Sequence, residues 1–326
     1  MAVQAAFGTP QNAGFAIPEV WSKRLNIEFY DASTIAAISN TNYEGEIRNQ
    51  GDKVWIRGLP GITTFLAPKN QELPVQLPET PKTQLSIDFR RGFNYFVDDL
   101  DRFQSDLNLF QEWTAHGGEV LTRDCEKNDI YPFLIGKADA KLSGNAGGKY
   151  SNNLRFGALG GATNHVALQS TYATAAGAHV RNILDFIIDI RLALTENSIP
   201  RQGQEFVVLP AWAVAMLRRS DLRDASITGD SVSVLRSGKH GVIDGLEIYE
   251  SNMLFQASDS SKTVTYAFFG HRSALTFAGR NVEPKMIDSE RYAGTLARSF
   301  MVHGYEVIKA QGFGVAIVRP RDGGDT

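Results

Sequence analysis

Apolar and polar positions alternate in two stretches of the chain: Val54 and Ile56 against Lys53, Trp55 and Arg57, and Leu85, Ile87 and Phe89 against Gln84, Ser86 and Asp88. A period of two predicts a pair of half-buried strands. Between them Pro60, Pro68, Pro74, Pro78 and Pro81 forbid a helix and interrupt any strand. A lone two-stranded ribbon is marginal in water. Residues 51–89 therefore need a surface to lie against.

Elsewhere the period lengthens to that of a helix. Pro18 suits a first turn, and Val20, Trp21, Leu25, Ile27 and Phe29 give that segment an apolar face. Leu100, Phe103, Leu107, Phe110 and Trp113 recur at steps of three or four, with Leu121, Cys125 and Asn128 beyond them. They predict one long helix, or two joined at a kink at Gly117 and Gly118. Unbroken over residues 104–137, it would span about 50 Å at roughly 1.5 Å per residue. Residues 136–177 are rich in glycine and small side chains and read as a mobile surface loop. Ile183, Phe186, Ile187, Ile190 and Leu194 then mark the clearest helix, with Pro200 just past its end. "EFVVLP" reads as a buried strand and "AWAVAMLRR" as a short helix. Asp244-Gly245 suits a type I′ turn between two short strands. The C-terminal part, rich in Val, Ile, Phe and Tyr, reads as strands. Runs of helix and of strand without steady alternation predict an α+β fold.

Composition adds few constraints. The 326 residues, 43% hydrophobic and 21% charged, allow a sizeable core and two or three folding units. A net charge of −3 supplies no basic stripe for tight nucleic-acid binding. The single cysteine, Cys125, excludes an internal disulfide and fits a reducing compartment. No apolar run reaches the roughly 20 residues that cross a bilayer, and the N-terminus lacks a secretory pattern. No membrane partner is expected.

Signals for chemistry are absent. "SGNAGGKYS" fails as a phosphate loop, because Tyr150 stands where the magnesium-binding hydroxyl belongs and Ser143 where the first glycine belongs. "FGALGGATN" is not a dinucleotide fingerprint, and no G-x-S-x-G elbow occurs. The six histidines are dispersed, so sequence spacing predicts neither metal nor cofactor. Asp98, Asp99 and Asp101 suit the start of a helix. Acidic neighbours Asp124, Glu126 and Asp129 would raise the Cys125 thiol pKa, so a structural role is expected.

The order of segments carries more. "IPEVWSKRL", "NYEGEIRNQGDKVWIRG", the extended ribbon, and "TQLSIDFRRGFNYFVDDLDRFQ" leading into a long helix follow one another. After them come "EFVVLP", "GVIDGLEIYESNML", "AFFGHRSALTFAG" and "NVEPKMID". This succession resembles the tailed-phage major capsid proteins of the HK97-like fold across nearly the whole chain. The resemblance implies an N-terminal arm at 1–45 and an extended loop at 46–97. It also implies a peripheral domain at 98–178 and 281–326, holding a spine helix, and an axial domain at 179–280. Family members form hexamers and pentamers that close into an icosahedral shell around double-stranded DNA.

On that resemblance the ribbon's missing surface belongs to a neighbouring subunit. Trp55, Ile62, Phe65, Leu66, Leu73, Val75 and Leu77 are its expected inter-subunit contacts. The prolines stiffen the arm before contact and discourage strand aggregation. Residues 220–241 resemble the loop at the capsomer axis, with Asp221, Arg223, Asp224, Arg236 and Lys239 as polar contacts. Gly58, Gly92, Gly117 and Gly118 are candidate hinges. The chain opens directly on its arm, so a separate scaffolding protein is expected, with a portal, decoration proteins and non-specific contact with packaged DNA as further partners. Lys69 lies in the extended loop, but no matching motif assigns it a cross-link. The expected location is the virion, after assembly in the host cytoplasm. Two alternatives stay open: the shell of a protein nanocompartment, and an enzyme assembled from dispersed residues such as Asp98, His116 and His271.

Overall fold

The computed structural model describes residues 34–42, 53–67, 69, 72–98, 109–171, 179–200, 203–220, 241–288 and 293–322. The helix expected after Pro18 and all but the two end residues of the axial loop expected at 220–241 lie outside them. A single helical turn, α1 (Ile35–Ile38), comes before the ribbon strands β1 (Lys53–Arg57) and β2 (Lys82–Ser86). Strand β3 (Phe89–Asp98) follows, and then α2 (Leu109–Cys125), which passes through a π-helical turn, Glu126–Ile130, into α3 (Tyr131–Ile135). Next come β4 (Val166–Gln169), β5 (Val180–Asn182), α4 (Ile183–Glu196), β6 (Glu205–Leu209) and α5 (Ala211–Arg219). Strands dominate the remainder: β7 (Val242–Ile243), β8 (Leu246–Glu250), β9 (Gln256–Asp259), β10 (Lys262–His271), β11 (Leu275–Asp288), β12 (Gly294–Val307) and β13 (Phe313–Pro320). Among the described residues no helix is long and apolar enough to cross a membrane.

An eight-stranded mixed sheet, ordered β5-β4-β13-β10-β6-β8-β7 with β9 beside β10, forms the centre. It is covered on both faces, which explains the unbroken apolar run of β6. Val207 and Leu209 join one buried cluster with Ile183, Phe186, Ile187, Ile190 and Leu194 of α4. Phe206 and Val208 join another with α1, Ile130, Tyr131 and Leu134. Each such side chain stabilises by about 1.5–3 kcal/mol relative to exposure. All five expected positions on α4 are fully buried. The helix starts where the Asn182 side chain accepts from the Leu184 amide at 2.9 Å. The turn at Asp244-Gly245 forms as expected, with φ of 48° and 81°, and pairs Ile243 with Leu246.

A second sheet, β11-β12-β3, is antiparallel throughout, and α2 packs on it. The helix runs through Gly117 and Gly118 without interruption. Its irregularity falls at Glu126–Ile130 instead. The π turn inserts a residue and shifts the helical phase, so Asn128 points to solvent while Ile130 and Tyr131 are buried. Sequence domain boundaries and sheets do not coincide. A cut at 280/281 passes through β11 and a cut at 97/98 through β3. Strands β4 and β13, on the peripheral side of the expected boundaries, belong to the central sheet.

The glycine-rich stretch is not the surface loop that its composition predicts. Leu142, Leu154 and Phe156 are buried in the core, and Phe156 packs on Phe269 at 5.1 Å between ring centroids. Gly157, at φ +87°, lies so near Ile317 that any side chain would strike its carbonyl oxygen. The stretch is fastened by Asp259, which accepts from the Gly160 and Gly161 amides at 2.6 and 3.3 Å and meets His165 Nε2 at 2.8 Å.

Candidate functional site

The ribbon is anchored at one end. β1 and β2 pair from Lys53↔Ser86 to Arg57↔Lys82. Ile56, Leu85 and Ile87 are buried with Ala278, flanked by Val54, Val302 and Ile308. Gly304 of β12 lets the Ser86 carbonyl pass close by, where a Cβ would collide with it. At Gly58, whose amide donates to the Pro81 carbonyl at 2.8 Å, regular pairing ends.

Between β1 and β2, from Gly58 to Pro81, the described residues have no strand or helix. A side-chain clamp joins the two arms: Thr63 N–H donates to Gln76 Oε1 at 3.1 Å, and Gln76 Nε2 donates to the Thr63 carbonyl at 2.7 Å. All seven expected contact residues are exposed, with Leu66 at 93% and Leu77 at 91%. Leu59, missed in the sequence reading because it directly precedes Pro60 outside the alternating pattern, is the most exposed at 94%. Among the described residues the ribbon thus carries a dense set of bare apolar side chains, the kind of exposed patch that marks contact surfaces in proteins generally.

The candidate hinges differ in their surroundings. Gly92 lies within β3 opposite Phe300, and a Cβ there would run into the Phe300 ring. A Cβ at Gly117 would come within 3.0 Å of the Phe93 ring, whereas one at Gly118 would meet nothing within 4 Å. The polar axial residues Asp221, Arg223, Asp224, Arg236 and Lys239 lie outside the described residues.

A second group of interest sits where the π turn meets the three-stranded sheet. Arg91 donates to both oxygens of Asp129, at 2.5 Å from Nε and 2.7 Å from Nη2. His303 Nε2 is 3.3 Å from Asp129 Oδ2, and Tyr305 donates to the Asp129 carbonyl at 2.8 Å. Cys125 Sγ is 3.7 Å from Met301 Sδ. Burial pushes the Cys125 thiol up to about 12, and the Asp129 charge adds to it. The acidic neighbours read from the sequence thus act in the expected direction, but burial is the larger cause. Burial also pushes His303 down, against the opposing pull of the Asp129 charge. His303 was not singled out in the sequence, since it comes from a strand far along the chain. The residues proposed for an enzyme fall on different elements: Asp98 ends β3, His116 is exposed on α2, and His271 ends β10.

No family profile matches the chain, and no curated protein does either. Solved structures do. A structure from Mycobacterium phage Che8 is 22% identical, covering 92% of this chain and 96% of that one, with a TM-score of 0.64. The capsid of cyanophage P-SCSP1u is 12% identical over 96% of each chain, with a TM-score of 0.66. The capsid of Ralstonia phage GP4 is 15% identical over the full length of both, with a TM-score of 0.60. At these identities the likeness establishes architecture: the chain has the α+β, HK97-like fold found in phage capsids.

Proposed function

We propose that this protein is a major capsid protein, a structural subunit rather than an enzyme. It assembles with its own copies, as hexamers and pentamers, into an icosahedral shell that encloses double-stranded phage DNA. The observation that carries this reading is the ribbon, whose base is buried in its own subunit while eight apolar side chains, from Trp55 to Leu77, stand bare. Fixed neighbouring copies would cover them and remove the cost of hydrating that surface. The net charge of −3 agrees with an inner surface that tolerates packaged DNA without gripping it.

Within this reading residues 1–45 act as an arm and the ribbon as the extended loop. The three-stranded sheet with α2 forms the peripheral unit, and the central sheet with α4 and α5 belongs with the axial unit. A separate scaffolding protein, a portal and decoration proteins complete the set of partners, and the mature location is the virion. The test is electron microscopy of the purified protein, alone and with its scaffold, with analysis of contents. Closed shells containing DNA are expected in infected cells. Shells filled with a protein cargo would indicate a nanocompartment, and a small, soluble oligomer under all assembly conditions would refute the reading.

A further inference from the structure

We propose that Cys125, Asp129 and His303 form a binding site for one thiophilic d10 cation, zinc(II) in the first place, which clamps the π turn to β12. Among the described residues this is the group of three whose ligand atoms all lie within 4.8 Å of one another. Zinc bonds of about 2.0–2.3 Å place tetrahedral ligand atoms some 3–4 Å apart. Closing the site therefore takes side-chain movements of about 1 Å.

The local folding brings the donors together for identifiable reasons. Cys125 ends α2 and Asp129 lies four residues on, within the π turn, so both project from one side of the helix. Met301 and His303 are two apart on β12 and share a face of the strand. The second, independent observation is His303 itself. It is fully buried, and neither ring nitrogen makes a hydrogen bond of good geometry. Phe89 and Tyr305 stack on the imidazole at 5.7 and 6.0 Å, fixing the ring plane. Buried polar groups without partners are uncommon and call for a reason; a metal bond is one.

The donor set selects the ion. A thiolate, an imidazole and one carboxylate, with the Met301 thioether beside the thiol, suit zinc(II) or copper(I). Calcium and magnesium require shells of oxygen that this pocket lacks. Arg91 is the competitor, because its guanidinium occupies both Asp129 oxygens. Its side chain is one-third exposed at 34% and has solvent to turn into, and the cation takes over its compensating charge. On binding, the thiol proton leaves to bulk water as the sulfur–metal bond forms. The inference is independent of shell assembly, since every ligand comes from one subunit.

The whole protein, metal-stripped and reduced, is titrated with zinc(II) against a chromophoric chelator, with cobalt(II) as an optical reporter. One equivalent is expected to bind, with a thiolate-to-cobalt charge-transfer band in the near ultraviolet. Cys125→Ser abolishes that band, and His303→Gln weakens zinc binding at least about tenfold. A parallel copper(I) competition decides the ion: tighter copper binding that Met301→Leu weakens identifies copper(I), and its absence identifies zinc(II). The cobalt spectrum of the unmutated protein requires no variant to fold. No thiolate band in that spectrum, or an unchanged stoichiometry in a folded Cys125→Ser protein, overturns the proposal.

Discussion

At the scale of single residues, several of the informative positions are those where a side chain is missing or a charge is held. Gly92 is opposite Phe300 in the β3–β12 pair, and the Phe300 ring occupies the space that its side chain would fill. The Arg90 guanidinium lies over this aromatic at 4.0 Å from the ring centroid, so a shift of Phe300 would disturb that contact as well. Gly92→Val is therefore expected to destabilise the subunit by about 1–3 kcal/mol through overpacking, read from urea denaturation. Asp259 offers a test by pH. Its carboxylate is lowered to about 2, first by the His165 hydrogen bond and next by the Gly160 amide. In the unfolded chain it titrates near roughly 3.9. A lowered folded value means that the stabilisation is fully present above about pH 4 and lost as pH falls through about 2. The stability gap between the wild type and Asp259→Asn should shrink over that window in acid-unfolding curves. A gap that stays constant from pH 5 to about pH 2 would show that the carboxylate's charge is not what fastens the loop.

At the scale of elements, what could be read in advance depends on whether the signal is local. α4 was legible because its five apolar positions and the proline past its end lie within one short stretch, and the structure buries all five. The Asp244-Gly245 turn was legible for the same reason. The π turn was not, because an inserted residue leaves no mark on apolar spacing. Only the partners of Ile130 and Tyr131 in the central sheet decide the phase. Glycine density misled over the described residues 136–171, where small residues serve close approach as well as exposure, as Gly157 does under Ile317. The ribbon falls between these cases. Its strands and their register follow from alternation and prolines, but which residues beyond Gly58 are bare needed the structure. Leu66 and Leu77 contribute nothing to the subunit's own core. The double variant Leu66→Ser/Leu77→Ser should thus keep the unassembled subunit's stability within about 0.5 kcal/mol. Assembly is where the loss should appear, as a raised critical concentration for shells measured by light scattering. A large drop in subunit stability would place those leucines in an intramolecular contact instead.

At the scale of the whole molecule, the central sheet is united by β13 near the C-terminus, which lies between β4 and β10, and by β10, which in turn pairs with β6. Such distant pairings are invisible to local patterns, which is why the sequence boundaries cut through sheets. Among the described residues the result is a subunit with two well-supported sheets and one ribbon that is buried only at its root. That asymmetry makes a prediction about proteolysis. Cleavage follows local opening and backbone access, and residues 59–67 and 72–80 offer irregular, exposed chain, with the exposed Lys69 between them as a cut site for trypsin. Unassembled subunits digested briefly should be cut there first, leaving the two sheets intact as fragments that stay together. In closed shells the same bonds should be cut far more slowly, because neighbouring copies would cover the ribbon and its opening would require leaving them. Equal cleavage rates in the two states, measured by mass spectrometry of the fragments, would mean that the ribbon stays bare after assembly and that its apolar residues serve some contact other than the one between copies.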